Sequence, residues 1–308
     1  MPDLLPDARA PEPVSKPRRL PLRKTLGYAL ILAIHTVKRL RHREHVAVSP
    51  NMPKSSSLLW KLSKLAGLEL VDEATARRRA RPPLATIRNL NATYDPGAPA
   101  AYLNGRCRDI SKSHVDAVFG EVFGYATKLD PTTFAGRVVM KPEINGLKSF
   151  VFVECPIAPA AVKPDFIYQR FIDNAVDDNT VKEYRAFILG SRIVDVQVQL
   201  RDIARRLGGR GFGGGRGFAV HAPEDVFTPD EQANILGFCA RLGLEYGELD
   251  ILPDIPSGRI YILDANKTPS SMVDERAFTR PRFRQLMSRA DAFRQFLRTR
   301  AAAPEATR

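Results

Sequence analysis

Three oxygen-bearing side chains in the last quarter of the chain have the types and spacing to hold a hard cation: Asp250, Asp264 and Asn266. They lie on two β-rich runs, residues 247–252 (GELDIL) and 258–269 (GRIYILDANKTP), separated by a cluster of Pro, Asp and Ser at Pro253–Ser257. This pattern predicts an antiparallel hairpin, whose side chains alternate from face to face along each strand. Asp264 and Asn266 therefore share one face. With the turn centred near Ile255 and Pro256, the even-numbered residues of both strands lie on the same side, and Asp250 stands beside Asp264 or one diagonal step away. Two carboxylates this close repel unless something positive sits between them. Mg²⁺, which takes a few carboxylate oxygens together with phosphates and water, suits that place. The plain alternative is a solvated hairpin end carrying ordinary surface acids.

Several elements must position this hairpin. Thr228-Pro229-Asp230-Glu231 is a capping box with proline at the first helical position. It starts a helix that buries Ile235, Leu236, Phe238, Cys239 and Leu242 and delivers the chain into the first strand. Upstream, Tyr184–Leu189 and Arg192–Gln199 flank Gly190-Ser191 as a second hairpin, with Glu183 and Arg185 at its opening and Arg201 at its exit. Residues 136–142 form a strand ending in Lys141, then a turn over 143–150 and a strand over Val151–Glu154. Phe166–Ile172 is a further strand containing Gln169 and Phe171. Residues 104–113 lead into a helix with Val115, Val118, Phe119, Val122 and Phe123 on its buried face, stopped by Gly124. Lys112 stands at that helix's amino end, where a cation is out of place unless it meets an anion, which the free N–H groups would also hold.

Nearer the amino terminus, a strand at Val46–Val48, a helix capped within Ser55–Ser57 and a strand at Leu68–Val71 follow in β-α-β order, which implies a small parallel sheet. The final helix, Arg282 to about Arg298, carries Phe283, Leu286, Met287, Ala290, Phe293 and Leu297 on one stripe, with its arginines expected to face solvent.

A chain of 308 residues has room for two domains or three small ones, and 44% hydrophobic content fits a soluble globular protein. The net charge of +13 points to an anionic partner, although much of it sits at the two ends. Cys107, Cys155 and Cys239 are widely spaced and have no His at ligand spacing. They read as reduced thiols of a cytoplasmic protein rather than as a zinc site. Residues 1–19, rich in Pro and charge, read as disordered, and Leu22–Arg43 as a helix with basic flanks. The longest apolar run, Leu26–Ile34, is too short for a membrane span, and the basic stretch after it lacks a signal-peptide cleavage site. A basic amphipathic segment lying on an anionic membrane stays open. The glycine- and arginine-rich tract over residues 207–218 cannot pack a core and reads as a loop with a composition similar to RNA-binding tails.

The order strand-Lys141-Pro142, Tyr168–Ile172, Glu183-Tyr184-Arg185, a capped helix, then Leu249-Asp250 and Leu263–Pro269 resembles the ATP-grasp superfamily, over roughly residues 46–287. That superfamily includes D-alanine:D-alanine ligase, glutathione synthetase and the ribosomal-protein glutamate ligases. The resemblance implies an α+β fold in which two subdomains (106–165 and 166–300) clasp ATP. A small α/β domain (46–105) would precede them, with a basic amino-terminal segment (1–45) and a short tail (301–308).

It implies that Lys112 and Lys141 clamp the ATP phosphates, that Gln169, Phe171 and Ile172 read the adenine edge, and that Glu183 holds the ribose. Asp250, Asp264 and Asn266 would bind Mg²⁺, and Arg185 and Arg201 would face the γ phosphate or the acceptor carboxylate. The implied reaction is ATP-dependent joining of a small-molecule or peptide carboxylate to an amine or similar nucleophile through an acyl phosphate, with no specific nucleic-acid partner. The alternatives are a nucleotide-binding module without turnover, or a basic protein associated with RNA or membrane. Three departures stand out. Only Gly146 interrupts the turn after Lys141, so the loop over 207–218 is a candidate lid. Glu248 stands where D-alanine ligases carry an arginine, and no glycine follows Pro269.

Overall fold

The computed structural model describes residues 22–146, 149–203, 215–270 and 279–303. The expected disorder of residues 1–19 lies outside these, as do most of the proposed lid over 207–218 and the tail beyond residue 303.

The chain begins with helix α1 (Leu22–Arg41), followed by β1 (His45–Pro50), α2 (Leu58–Leu65), β2 (Glu69–Asp72), the short α3 (Glu73–Arg77) and β3 (Thr86–Asn89). Ser57 caps α2 by accepting from the Trp60 amide, and the helix buries Leu58, Leu59, Leu62 and Leu65 on one side. Gly67, at φ +74°, turns the chain into β2. β1 pairs in parallel with both β2 and β3, so the predicted small parallel sheet forms in the order β2-β1-β3.

Helix α4 (Lys112–Phe123) ends at Gly124 in the left-handed conformation, as its position after the last apolar residue predicts. An antiparallel sheet of order β5-β4-β6 follows, built from β4 (Gly136–Pro142), β5 (Val151–Cys155) and β6 (Phe166–Arg170). β6 stops at Arg170, two residues short of the expected strand end, so Phe171 and Ile172 follow it as irregular chain.

The largest sheet is antiparallel, of order β10-β9-β8-β11-β12, with β7 (Ala175–Asp177) added beside β8. Its strands are β8 (Thr180–Leu189), β9 (Arg192–Asp202), β10 (Gly215–His221), β11 (Tyr246–Pro253) and β12 (Ile260–Asn266). Helix α5 (Pro229–Leu242) precedes β11 and opens with the predicted capping box, with Thr228 and Glu231 bonded reciprocally. On one face of this sheet, Ala186, Val196, Leu249 and Ile251 pack beneath α4 and α5, against Val115, Phe119, Ile235 and Phe238. The other face is polar in the middle. At its far end Phe187, Leu189 and Tyr246 are covered by the terminal helix α6 (Arg280–Ala302), whose Leu286, Phe293 and Leu297 also meet Leu58, Leu62 and Leu65 of α2. Helix α6 thus fastens the small parallel sheet to the large one.

The expectation that the α6 arginines face solvent fails at Arg289, which is buried between Asp195 and Glu248. The physical reason is charge pairing: a guanidinium on the apolar side of a helix is stable when carboxylates of the facing sheet meet it. Among the described residues no helix is long and apolar enough to cross a membrane.

Candidate functional site

The predicted hairpin is β11–β12, and Asp250 stands directly opposite Asp264. A bulge makes this possible. Near the turn, Leu252 pairs with Tyr261 and Ile251 with Ile262. Continued without interruption, that register would set Leu263 against Asp250 and send Asp264 to the other face. The register shift between Asp250 and Ile251 brings the two carboxylates together. Asn266 lies two pairs further along, on the same face, opposite Glu248.

The two acids are held differently. Asp250 faces Arg185 on β8, which grips it with Nε to Oδ1 at 2.7 Å and Nη2 to Oδ2 at 3.1 Å. The pairing, with Asp250 first among its causes, holds Arg185 above its ordinary pKa. Asp264 has no such clamp, and its Oδ1 is buried without a hydrogen-bond partner among the described residues. Burial first, then the charge of Asp250, push its pKa up to about 7, while Lys112 and Lys141 pull the other way.

The donor set fits Mg²⁺. Two facing carboxylates and an amide are hard oxygen ligands, and Asp264 Oδ1 has no hydrogen-bond partner among the described residues. The Asn266 amide oxygen already accepts from the Thr268 N–H at 3.1 Å, so it has one lone pair to give. Among the described residues no group of three or more His, Cys, Asp or Glu side chains could hold a metal ion.

Lys112 is buried, and its ammonium donates a hydrogen bond to the Ile144 carbonyl at 2.9 Å. Burial lowers its pKa, opposed by the nearby charges of Asp264 and Glu143. The anion predicted at the amino end of α4 is supplied by the protein itself. Glu143, on the turn after β4, accepts from the Ser113 N–H at 2.8 Å and from the Ser113 hydroxyl at 3.1 Å. The Lys112 N–H reaches the Glu143 carbonyl at 3.3 Å, and Ser111 caps the helix from within. Asn145 on the same turn donates to the Ala265 carbonyl of β12 at 3.2 Å, which fastens the turn over the acidic pair.

A cleft opens between the sheet β5-β4-β6 and the β7–β8 edge of the large sheet. Lys141, Gln169, Phe171, Ile172, Phe150 and Phe152 are among its lining, together with Leu263, the residue before Asp264. Gln169 is buried and gives Nε2–H to Thr127 Oγ1 at 2.7 Å, while its Oε1 has no partner among the described residues. Phe171 is exposed, its ring 5.9 Å from that of Phe152. Glu183 pairs with Arg201 at 2.6 Å, and Arg201 also donates to Gln199 Oε1. Burial and the neighbouring Arg185 lower the Arg201 pKa. The structure therefore gathers Lys112, Lys141, Arg185, Asp250, Asp264 and Asn266 about one point, with Gln169, Phe171 and Ile172 along the adjoining cleft.

No family model matches the sequence, and no curated protein matches it. Solved structures do. PsnB, an ATP-grasp ligase solved with a variant of its minimal precursor, Mg and ADP, superposes with a TM-score of 0.51 at 12% identity, over 83% of this chain and 98% of that one. The D-Ala:D-Ser ligase VanG from Enterococcus faecalis gives 0.51 at 10% identity, over 82% and 99%. The chain has the α+β ATP-grasp fold. At such identities the likeness concerns the fold, and the chemistry must be argued from this chain's own residues.

Sequence reasoning missed two charged groups beside this cluster. The spacing of Glu143 two residues after Lys141 carries no signal that it turns back onto α4. Arg289 is legible only as an arginine adjoining the apolar stripe of the last helix. Its position beside Leu286 and Ala290 on the helical wheel was the available sign.

Proposed function

We propose that this chain is an ATP- and Mg²⁺-dependent ligase that joins a small-molecule or peptide carboxylate to an amine or similar nucleophile through an acyl phosphate. The observation that carries the reading is the acidic pair with one unsatisfied carboxylate, flanked by Lys112 and Lys141, at the end of an apolar cleft in an ATP-grasp fold. Adenine would occupy the cleft beside Phe171 and Ile172, with the unpartnered Oε1 of Gln169 available to its amino group. Glu183 would meet the ribose. Lys112 and Lys141 would neutralise the phosphates as point charges. Asp250, Asp264 and Asn266 would hold Mg²⁺, which when bound draws negative charge from the phosphate chain.

The substrate carboxylate oxygen attacks the γ phosphorus, and the bond from that phosphorus to ADP breaks. The amine nitrogen then attacks the acyl carbon and phosphate leaves, taking the carbon–oxygen bonding pair while the amine releases a proton. The protein's part is positioning and charge neutralisation. Arg201 would face the reacting carboxylate, and Arg185 would keep Asp250 in register.

Calorimetric titration with ATP, with and without Mg²⁺, tests the site, and ADP release with panels of carboxylates and amines tests turnover. Micromolar binding that requires Mg²⁺ is the expected result, and absence of binding overturns it. A second reading, nucleotide binding without turnover, is favoured by one observation: both Asp250 oxygens are already engaged by Arg185. Tight binding with no ADP release against any pair would decide for it.

A further inference from the structure

Helix α1 is apolar on two opposite sides, and only one is covered. Inward, Tyr28, Ile31 and Ile34 join the core shared with α2 and α6, the Tyr28 ring lying edge-on to Trp60 at 5.9 Å. The inner margin is pinned by polar contacts: Lys38 to Asp291 at 3.0 Å and Arg39 to Glu69 at 2.7 Å. Outward, Leu26, Leu30, Ala33, Val37 and Leu40 succeed one another at alternating steps of four and three, which places them on one stripe. That stripe is open: Leu26 is 60% exposed, Leu30 48%, Val37 56% and Leu40 81%. A row of large apolar side chains at helical spacing is an interaction surface, unlike the single exposed leucines common on any protein.

Charge selects the partner. The 20 residues of α1 contain no Asp or Glu, and basic residues stand at both ends, Arg23 and Lys24 at the start and Arg41 at the close, followed by Arg43. Arg41 and Arg43 are exposed and have no ion-pair partner among the described residues. Two copies meeting through this stripe would set basic ends against basic ends in either orientation, with no acid in the helix to relieve them. A surface offering both an apolar layer and fixed negative charge answers both features, and a lipid bilayer with anionic headgroups is such a surface. At 20 residues the helix is long enough to cross but not apolar enough. We propose that α1 lies on an anionic membrane surface, with Leu26, Leu30, Val37 and Leu40 entering the boundary between headgroups and acyl chains and Arg41 and Arg43 against the phosphates.

The test is flotation of the full chain with phosphatidylcholine vesicles, and with vesicles in which part of the phosphatidylcholine is replaced by phosphatidylglycerol. Binding to the anionic vesicles is expected, weakening as salt is raised, and falling about tenfold or more in the double variant Leu30→Glu/Val37→Glu. Arg41→Glu/Arg43→Glu is expected to weaken it as well. Both pairs face outward, so the melting temperature and ATP affinity of each variant stay at the wild-type values. If Leu30→Glu/Val37→Glu lowers the melting temperature, Leu26→Gln/Leu40→Gln replaces it. Three results overturn the proposal: no vesicle binding; equal binding to neutral and anionic vesicles; or binding unchanged in the outward variants. A wild-type dimer that the outward variants dissociate, with no vesicle binding, would assign the stripe to a second copy instead.

Discussion

Two pairs of acids lie side by side on the polar face of the large sheet, and they are treated in opposite ways. Asp195 and Glu248 sit under α6 with a cation built between them. Arg289 gives Nε to Asp195 Oδ2 at 2.7 Å, Nη2 to Asp195 Oδ1 at 2.6 Å and Nη1 to Glu248 Oε1 at 2.8 Å. Gln285 adds a bond to Asp195 at 2.8 Å, and the guanidinium lies 4.4 Å from the centre of the Phe187 ring. Burial opposes the Arg289 charge, but the two carboxylates outweigh it and the pKa stands above its ordinary value. Asp250 and Asp264, next along the same hairpin, share a single clamping arginine that serves Asp250 alone, and Asp264 has only the lysines. Arg185 links the pairs, its Nη1 reaching Glu248 Oε2 at 3.9 Å. What separates the pairs is hydrogen bonding rather than net charge: Arg289 bonds both acids of the first pair, whereas in the second Asp264 Oδ1 is buried without a hydrogen-bond partner among the described residues.

The largest effect should come from breaking the satisfied pair. Arg289→Met leaves two buried carboxylates without their cation and is expected to cost about 3–5 kcal/mol, read as a lower urea midpoint. Arg289→Lys keeps the charge but loses the fork and should fall between. A midpoint equal to wild type for Arg289→Met would erase the distinction between the pairs.

At the unsatisfied pair the sign reverses. The Asp264 pKa stands at about 7, against an ordinary value of 3.8. Between these values the metal-free folded protein keeps a proton that the unfolded chain has lost. Stability therefore falls as pH rises through that window, by at most about 1.4 kcal/mol per pH unit. Asp264→Asn should remove this slope and leave the protein at least as stable as wild type near neutral pH, measured by urea unfolding at about pH 5 and about pH 8. The same change should weaken ATP binding in Mg²⁺ by at least tenfold, about 1.4 kcal/mol. A variant that is destabilised yet binds ATP normally would place Asp264 with the scaffold acids.

Lys141→Ala should act on the same carboxylate more weakly. With one of its two opposing cations gone, Asp264 should titrate above its present value, as seen by its carboxyl carbon resonance, and ATP affinity should drop about fivefold, roughly 1 kcal/mol. An unmoved resonance would show that Lys141 lies too far to serve this site.

Much of this comparison was legible in the sequence where local rules govern. The hairpin, its turn residues, the capping box at Thr228 and the glycine stops at Gly67 and Gly124 follow from period and cap chemistry alone. The nearness of Asp250 and Asp264 was also foreseen, but it rests on a bulge that no residue type announces, since the turn by itself sets the opposite register. Arg289 and Glu143 escaped because their partners are distant in sequence or behind a turn, and a charged residue beside an apolar stripe reads as solvated until the facing acids are known.

Glu143 carries the smallest effect and the finest test. Its carboxylate caps α4 through Ser113, and the turn it anchors presents the Ile144 carbonyl to Lys112 at 2.9 Å. Glu143→Gln keeps an acceptor for the Ser113 N–H but removes the charge that favours the helix terminus, so a loss of about 0.5–1 kcal/mol in urea stability is expected. That charge also raises the Lys112 pKa against burial, so its removal should lower the Lys112 pKa further. Lys112 stays tied to Ile144 and still faces Asp264, so ATP affinity should change less in Glu143→Gln than in Lys112→Ala. Equal losses in the two variants would mean that the turn, rather than the ammonium it positions, holds the phosphates, and the Asp250–Asp264 pair would then lose one of the charges that distinguish it from its buried neighbour.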